Sequence, residues 1–181
     1  MGGNSSTSSS SYVSHSLPLP KPTPPEKPKM TKEEEEALDK EFNRLKNCNL
    51  ELLKCEYVNN DKRHWQIVFE GTKRSPYENG YFILDFLFKE NFPNNGPEAK
   101  FITRMFHPNV ADNGHVCINL LNSWNPKISM EHVLYGILDI LDNPVASGGY
   151  SNDARKLLET NAEEFYKKVE EYTYLYAMKG F

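Results

Sequence analysis

The chain has 181 residues, 38% of them apolar, and a formal net charge of -4. That length holds one domain and a tail, and the acidic balance excludes a general affinity for nucleic acid or anionic membrane. Three cysteines, Cys48, Cys55 and Cys117, lack metal-ligand spacing, so no metal is expected. The start shows no secretory signal, and no apolar run is long enough to cross a bilayer. Free thiols in a reducing compartment, cytoplasmic or nuclear, are the expectation.

Residues 1–30 are rich in Ser, then in Pro and Lys. Such a stretch cannot bury enough apolar area to offset its ordering entropy, so a disordered extension is expected. Met1-Gly2-Gly3-Asn4-Ser5-Ser6 fits the pattern for N-myristoylation at Gly2. The competing reading is a flexible tail that begins Met-Gly. One acyl chain binds membranes marginally, and Lys21, Lys27, Lys29 and Lys32 add little. Membrane contact is thus expected only if Gly2 is acylated, and then weakly.

Thr31-Lys32-Glu33-Glu34 is a capping box, and Leu38, Phe42 and Leu45 repeat at helical spacing. A helix is expected over 31–47, with its glutamates on a solvated face. Four strands follow. Leu53, Cys55 and Tyr57 alternate with charged residues, as do Trp65, Ile67 and Phe69 with polar ones. Phe82, Leu84, Phe86 and Phe88 share a face, as do Ala99, Phe101 and Thr103. Asn59-Asn60-Asp61, residues 71–76 and Asn94-Asn95-Gly96 supply short turns, hence an antiparallel meander. Helices must cover one face, which makes the fold α+β.

The chain is expected to run irregularly from Cys117 to Pro126. Ser129 then caps a helix bearing Val133, Leu134, Ile137, Leu138 and Leu141, apolar enough to be the buried central helix. Asp142-Asn143-Pro144 stops it. A Ser147-Gly148-Gly149 loop leads to a helix capped by Ser151 or Asn152 and ending at Glu159. Thr160-Asn161-Ala162-Glu163 reads as a second capping box, opening the last helix with Phe165 and Val169 inward. Tyr172, Tyr174, Tyr176 and Phe181 then cover the core edge, or form a partner surface.

The chemistry concentrates at 107–121. Asp112-Asn113-Gly114 turns the backbone, so Asn109 can approach Cys117. A sulfur with a nearby amide donor suits acyl transfer: the sulfur carries the acyl group and the amide bonds the oxyanion. Asn109 has a second candidate role, fixing the turn through the backbone. A cysteine-histidine hydrolase would need an orienting carboxylate beside His107 or His115, and the sequence supplies none. His115 therefore reads as an exposed polar residue.

His107-Pro108-Asn109, eight positions, Cys117, then Trp124-Asn125-Pro126, resembles the active-site signature of the ubiquitin-conjugating enzymes. Ser75-Pro76-Tyr77-Glu78-Asn79-Gly80 is similar to that family's Ser-Pro-Tyr turn, and Phe92-Pro93 with Pro97 to its proline-bracketed loop. The resemblance covers about 31–175 and implies one catalytic domain over 31–181. It implies that Cys117 accepts ubiquitin as a thioester from an activating enzyme. Transfer to a lysine or a ligase cysteine then follows, with Asn109 catalytic and His107 and Pro108 structural. It implies no bound cofactor, since ATP is used by the activating enzyme.

The departures also carry expectations. The family's basic docking helix is here acidic in its first turn, leaving Lys40, Arg44 and Lys46. An acidic residue usual after the central helix is replaced by Ser147 or Gly148. Asn94, Pro126 and Lys127 face the ligase in the family, and Asn94 and Lys127 depart from its usual apolar and small residues. A standard RING or HECT ligase is then expected to bind weakly, and a dedicated one becomes the expectation. A ubiquitin-like modifier of the NEDD8 type, or a non-catalytic scaffold with the same fold, are the alternatives.

Metabolic labelling with a myristate analogue decides between the two readings of the start: lipidation marks the wild-type chain and fails for Gly2→Ala, and a plain tail marks neither. Equal labelling of the two would end the lipidation reading.

Overall fold

The capping box at Thr31 works as its residues predict, and a computed structural model shows how. It describes residues 1–3, 28–73 and 75–178. Most of the Ser- and Pro-rich expectation at 4–27, together with Phe181, lies outside the described residues. Helix α1 spans Lys32–Lys46. Thr31 Oγ1 accepts from Glu34 N at 3.1 Å, and the Glu34 carboxylate bonds back to the Thr31 backbone.

Glu34 is not solvated as expected. It is 3% exposed and makes a two-pronged pair with Arg63, both contacts at 2.7 Å. A buried carboxylate persists only where such partners answer its charge. The Arg63 guanidinium holds the Glu34 carboxyl below the usual carboxylate range, against the opposing effect of burial. Arg63 also donates to the Pro28 carbonyl at 2.9 Å, tying the entry of the domain to the sheet.

Four antiparallel strands follow in the order β1-β2-β3-β4: Leu52–Tyr57, His64–Glu70, Tyr81–Phe88 and Pro97–Phe101. The inward stripes are those the alternation predicts: Trp65, Ile67 and Phe69 on β2, and Phe82, Leu84, Phe86 and Phe88 on β3. Leu53 is a correction. A register shift between Leu52 and Lys54 turns Leu53 outward, 55% exposed, and Leu52 pairs with Phe69 instead. A bulge of this kind breaks strict two-residue periodicity.

The central helix α3, Met130–Asp142, buries Met130, Val133, Leu134, Ile137 and Leu141. Ser129 caps it, and Glu41 of α1 accepts from the Met130 N–H at 2.9 Å, joining the two helices. A short helix α2, Asn119–Asn122, stands where an irregular path was expected. Its single turn is too brief to show a periodic pattern. Helix α4, Asn152–Thr160, is capped by Ser151. Helix α5, Ala162–Tyr176, is capped by Asn161 rather than Thr160, whose hydroxyl donates to the Lys156 carbonyl. Tyr172 rests against Phe106, Arg104 lies over both Tyr172 and Tyr176, and Tyr174 is 71% exposed.

Arg63→Met is expected to lower the unfolding free energy by about 3 kcal/mol at pH 7, since it leaves the Glu34 charge buried and unpaired. The stability that pairing gives Glu34 is present above the ordinary carboxyl value of 4.5 and is lost as pH falls through the depressed one. Urea unfolding at pH 7 and below pH 4 should therefore show the gap between wild type and variant narrowing in acid.

Candidate active site

The segment that bears Cys117 is fastened to the edge of the sheet. Ala111 to Gly114 forms the turn that Asp112-Asn113-Gly114 predicts, closed by Gly114 N–H to the Ala111 carbonyl at 2.8 Å. Gly114 has φ +87°, and a Cβ there would run into the Phe101 carbonyl oxygen. Only glycine meets both demands without strain. Phe101 N–H then donates to Gly114 O at 2.9 Å, and Val116 N–H to Ala99 O at 3.0 Å. The segment so lies along β4.

Asn109 and Cys117 are joined twice. Cys117 N–H donates to the Asn109 carbonyl at 2.8 Å, and Asn109 Nδ2 donates to the Cys117 carbonyl at 2.9 Å. Asn109 is buried and Cys117 half-buried. The structure thus brings the two predicted residues together, with the asparagine amide on the cysteine backbone. This is the turn-fixing role foreseen for Asn109. Its Oδ1 is buried and takes no hydrogen bond from any described residue.

His107 holds Asn109 in turn. Its Nδ1 accepts from the Asn109 backbone N–H at 2.8 Å, and its Nε2 lies 2.8 Å from the Ile140 carbonyl. An acceptor at Nδ1 and a carbonyl at Nε2 require the neutral ring protonated on Nε2. Burial pushes the imidazole down to about 4, only partly opposed by the Ile140 carbonyl. Tyr77, fully buried, donates to the Phe106 carbonyl at 2.8 Å, so the Ser-Pro-Tyr turn braces this loop. Pro108 is braced from the other side. Ser151 N–H reaches its carbonyl at 3.0 Å, and Gly149 packs so close to that carbonyl that a Cβ would overlap it.

His115 is half-buried rather than exposed, bridged to Lys100 on β4. Ser147 and Gly148 are exposed and bring no carboxylate. Asp153 lines a cleft of about 890 Å³ shared with Arg104, His107 and Lys168, and Cys117 is not among that cleft's walls. Among the described residues no cluster of His, Cys, Asp and Glu could hold a metal ion.

Asn122 is the site residue that sequence reasoning missed. Its Nδ2 lies 3.4 Å from Cys117 Sγ. One helical turn brings position 122 back toward 117–118, but no pattern flagged that turn.

Asn94, Pro126 and Lys127 are all exposed, on two loops joined by Trp124. The Trp124 indole N–H donates to the Pro93 carbonyl at 2.8 Å, and its ring lies 6.0 Å from that of Phe92. Gly96 packs on the indole, where a Cβ would come within 2.6 Å.

Comparison with known proteins points to a single family. The family model described as ubiquitin-conjugating enzyme matches residues 37–173. Ubiquitin-conjugating enzyme E2 S of Dictyostelium discoideum is 35% identical over 144 residues, 77% of this chain and 66% of the relative. Ubiquitin-conjugating enzyme E2 22 of Arabidopsis thaliana is 37% identical over 66% of this chain and 49% of its own length. The chain thus spans about half to two thirds of these relatives. A solved Toxoplasma gondii ubiquitin-conjugating enzyme E2 domain superposes with TM-score 0.72 at 27% identity, covering 80% of this chain and 99% of that one. The chain belongs to the ubiquitin-conjugating enzyme family.

The neutral His107 gives a pH test. Between pH 6.5 and 4 the unfolded chain takes up a proton that the folded ring refuses, so stability falls as pH falls. The loss should approach about 3 kcal/mol by pH 4. Denaturation curves for His107→Gln should be flatter over that window than those of the wild type.

Proposed function

We propose that this chain is an active ubiquitin-conjugating enzyme in which Cys117 carries the modifier as a thioester. The observation that supports it best is the double bridge between Asn109 and Cys117, which stations a half-exposed sulfur on a rigid loop. A thioester suits a carrier, because thiol exchange is nearly balanced in energy while the carbonyl stays reactive toward an amine. The activating enzyme consumes ATP and loads Cys117. The acyl group then passes to a substrate lysine or a ligase cysteine.

Asn109 has two roles in this reading. Its bond to the Cys117 carbonyl shapes the loop. Nδ2 carries a second N–H, and the unpartnered Oδ1 leaves the amide incompletely held, so it can turn to the oxyanion that forms on attack. His107 and Pro108 shape the loop alone, because the neutral ring has both nitrogens engaged by the backbone, Nδ1 accepting and Nε2–H donating.

The ligase would dock on the joined loops that expose Asn94, Pro126 and Lys127. These offer amides and an ammonium where an apolar anchor is the commoner hot spot. A RING- or HECT-type ligase dedicated to this chain fits that surface better than a general one. The reading places the protein in the cytoplasm or nucleus, with membrane contact confined to a Gly2-acylated form.

Incubation with activating enzyme, ATP and ubiquitin should give a thiol-sensitive band on a non-reducing gel, absent for Cys117→Ala. Asn109→Ala should form the band yet discharge it to lysine about 10²-fold more slowly. A band only with a ubiquitin-like protein would reassign the modifier. No band with any of them would favour the non-catalytic scaffold.

A further inference from the structure

The Asn109 amide donates to the backbone, and a different amide sits at the sulfur. Asn122 Nδ2 approaches Cys117 Sγ at 3.4 Å. Its position is built into the fold. Helix α2 is closed by Asn122 N–H to the Ile118 carbonyl at 3.1 Å, and Ile118 is buried. Leu120 packs on Gly136 of α3, where a Cβ would meet it at 2.9 Å. Two residues on, Trp124 is tied to Pro93. The stretch that presents Asn122 is therefore pinned on both sides.

We propose that Asn122 is a catalytic residue that stabilises the sulfur as it leaves. The proposal rests on the thioester reading above. In discharge the lone pair of a lysine amine attacks the thioester carbonyl carbon and a C–N bond forms. The intermediate collapses, the C–S bond breaks, and its electron pair goes to Sγ. The proton of the new ammonium passes to water. Sulfur is a weak acceptor while acylated and a strong one as a thiolate. The Asn122 N–H bond therefore strengthens along the reaction, which is the condition for lowering a barrier. The two amides divide the work: Asn109 shapes the loop and turns to the oxyanion, and Asn122 answers the charge on the sulfur.

Loading should respond less than discharge. A donor that stabilises the thiolate raises its fraction but lowers its nucleophilicity, and these partly cancel in attack. They do not cancel when the thiolate is the leaving group. A merely structural role would slow both steps alike.

The test uses the full chain with Asn122→Ala and the isosteric Asn122→Asp, which removes the donor and adds a negative charge. Three readouts are taken: loading by the activating enzyme, single-turnover discharge of the thioester to free lysine, and iodoacetamide alkylation of unloaded Cys117 followed by mass spectrometry. Discharge should slow about threefold for Asn122→Ala and about tenfold for Asn122→Asp. Loading should change less than about twofold, alkylation should slow for Asn122→Asp, and thermal midpoints should hold. Discharge of Asn122→Asp at the wild-type rate, or an equal fall in loading and discharge, would overturn the proposal. If the wild type fails to load with any modifier, the thioester reading itself is wrong. Alkylation still reports then whether Asn122 acts on the sulfur.

Discussion

Two hydrogen bonds between Asn109 and Cys117 decide where the cysteine sulfur stands. Cys117 belongs to neither the sheet nor a helix, so regular secondary structure does not place it. The reciprocal pair does so, backbone to backbone at 2.8 Å and amide to carbonyl at 2.9 Å. Each partner is itself held. Asn109 is fixed by His107 Nδ1, and the segment before Cys117 is fixed to β4. Removing the neutral imidazole would free the asparagine, and with it the cysteine. A chain of short-range constraints thus runs from the buried core to a half-exposed atom.

The fold was largely legible because its core is periodic. The aromatic alternation on β2 and β3 and the apolar stripes of α1 and α3 bury what their spacing predicts, except that Leu138 of α3 is only half-buried. The misses have local causes. Leu53 sits at a bulge, where the two-residue period breaks. Thr160 and Asn161 are both good caps, and neighbouring residues cannot be ranked without the backbone angles. Glu34 looked like one more surface charge among glutamates, and nothing local announces a partner 29 positions away.

The site divides in the same way. Cys117, Asn109 and His107 were legible because turn chemistry and a spaced motif lie in one stretch. The relation of Asn122 to the sulfur was not, because a four-residue helix leaves no periodic trace. Nor was the joining of the 91–96 and 123–127 segments. It depends on one indole reaching the Pro93 carbonyl, a contact across 31 positions. Glycine at 96 has its reason only in that contact, since the indole occupies the space of a side chain.

The Arg63 clamp on Pro28 has a directional meaning. Pro28, Arg63, Glu90 and Asn95 border one shallow groove, and the Asn91 backbone also donates to the Glu34 carboxylate. The point at which the N-terminal extension joins the domain is thereby set at the corner beside the 91–96 loop. The polypeptide upstream of Pro28 is therefore joined to the domain at that corner.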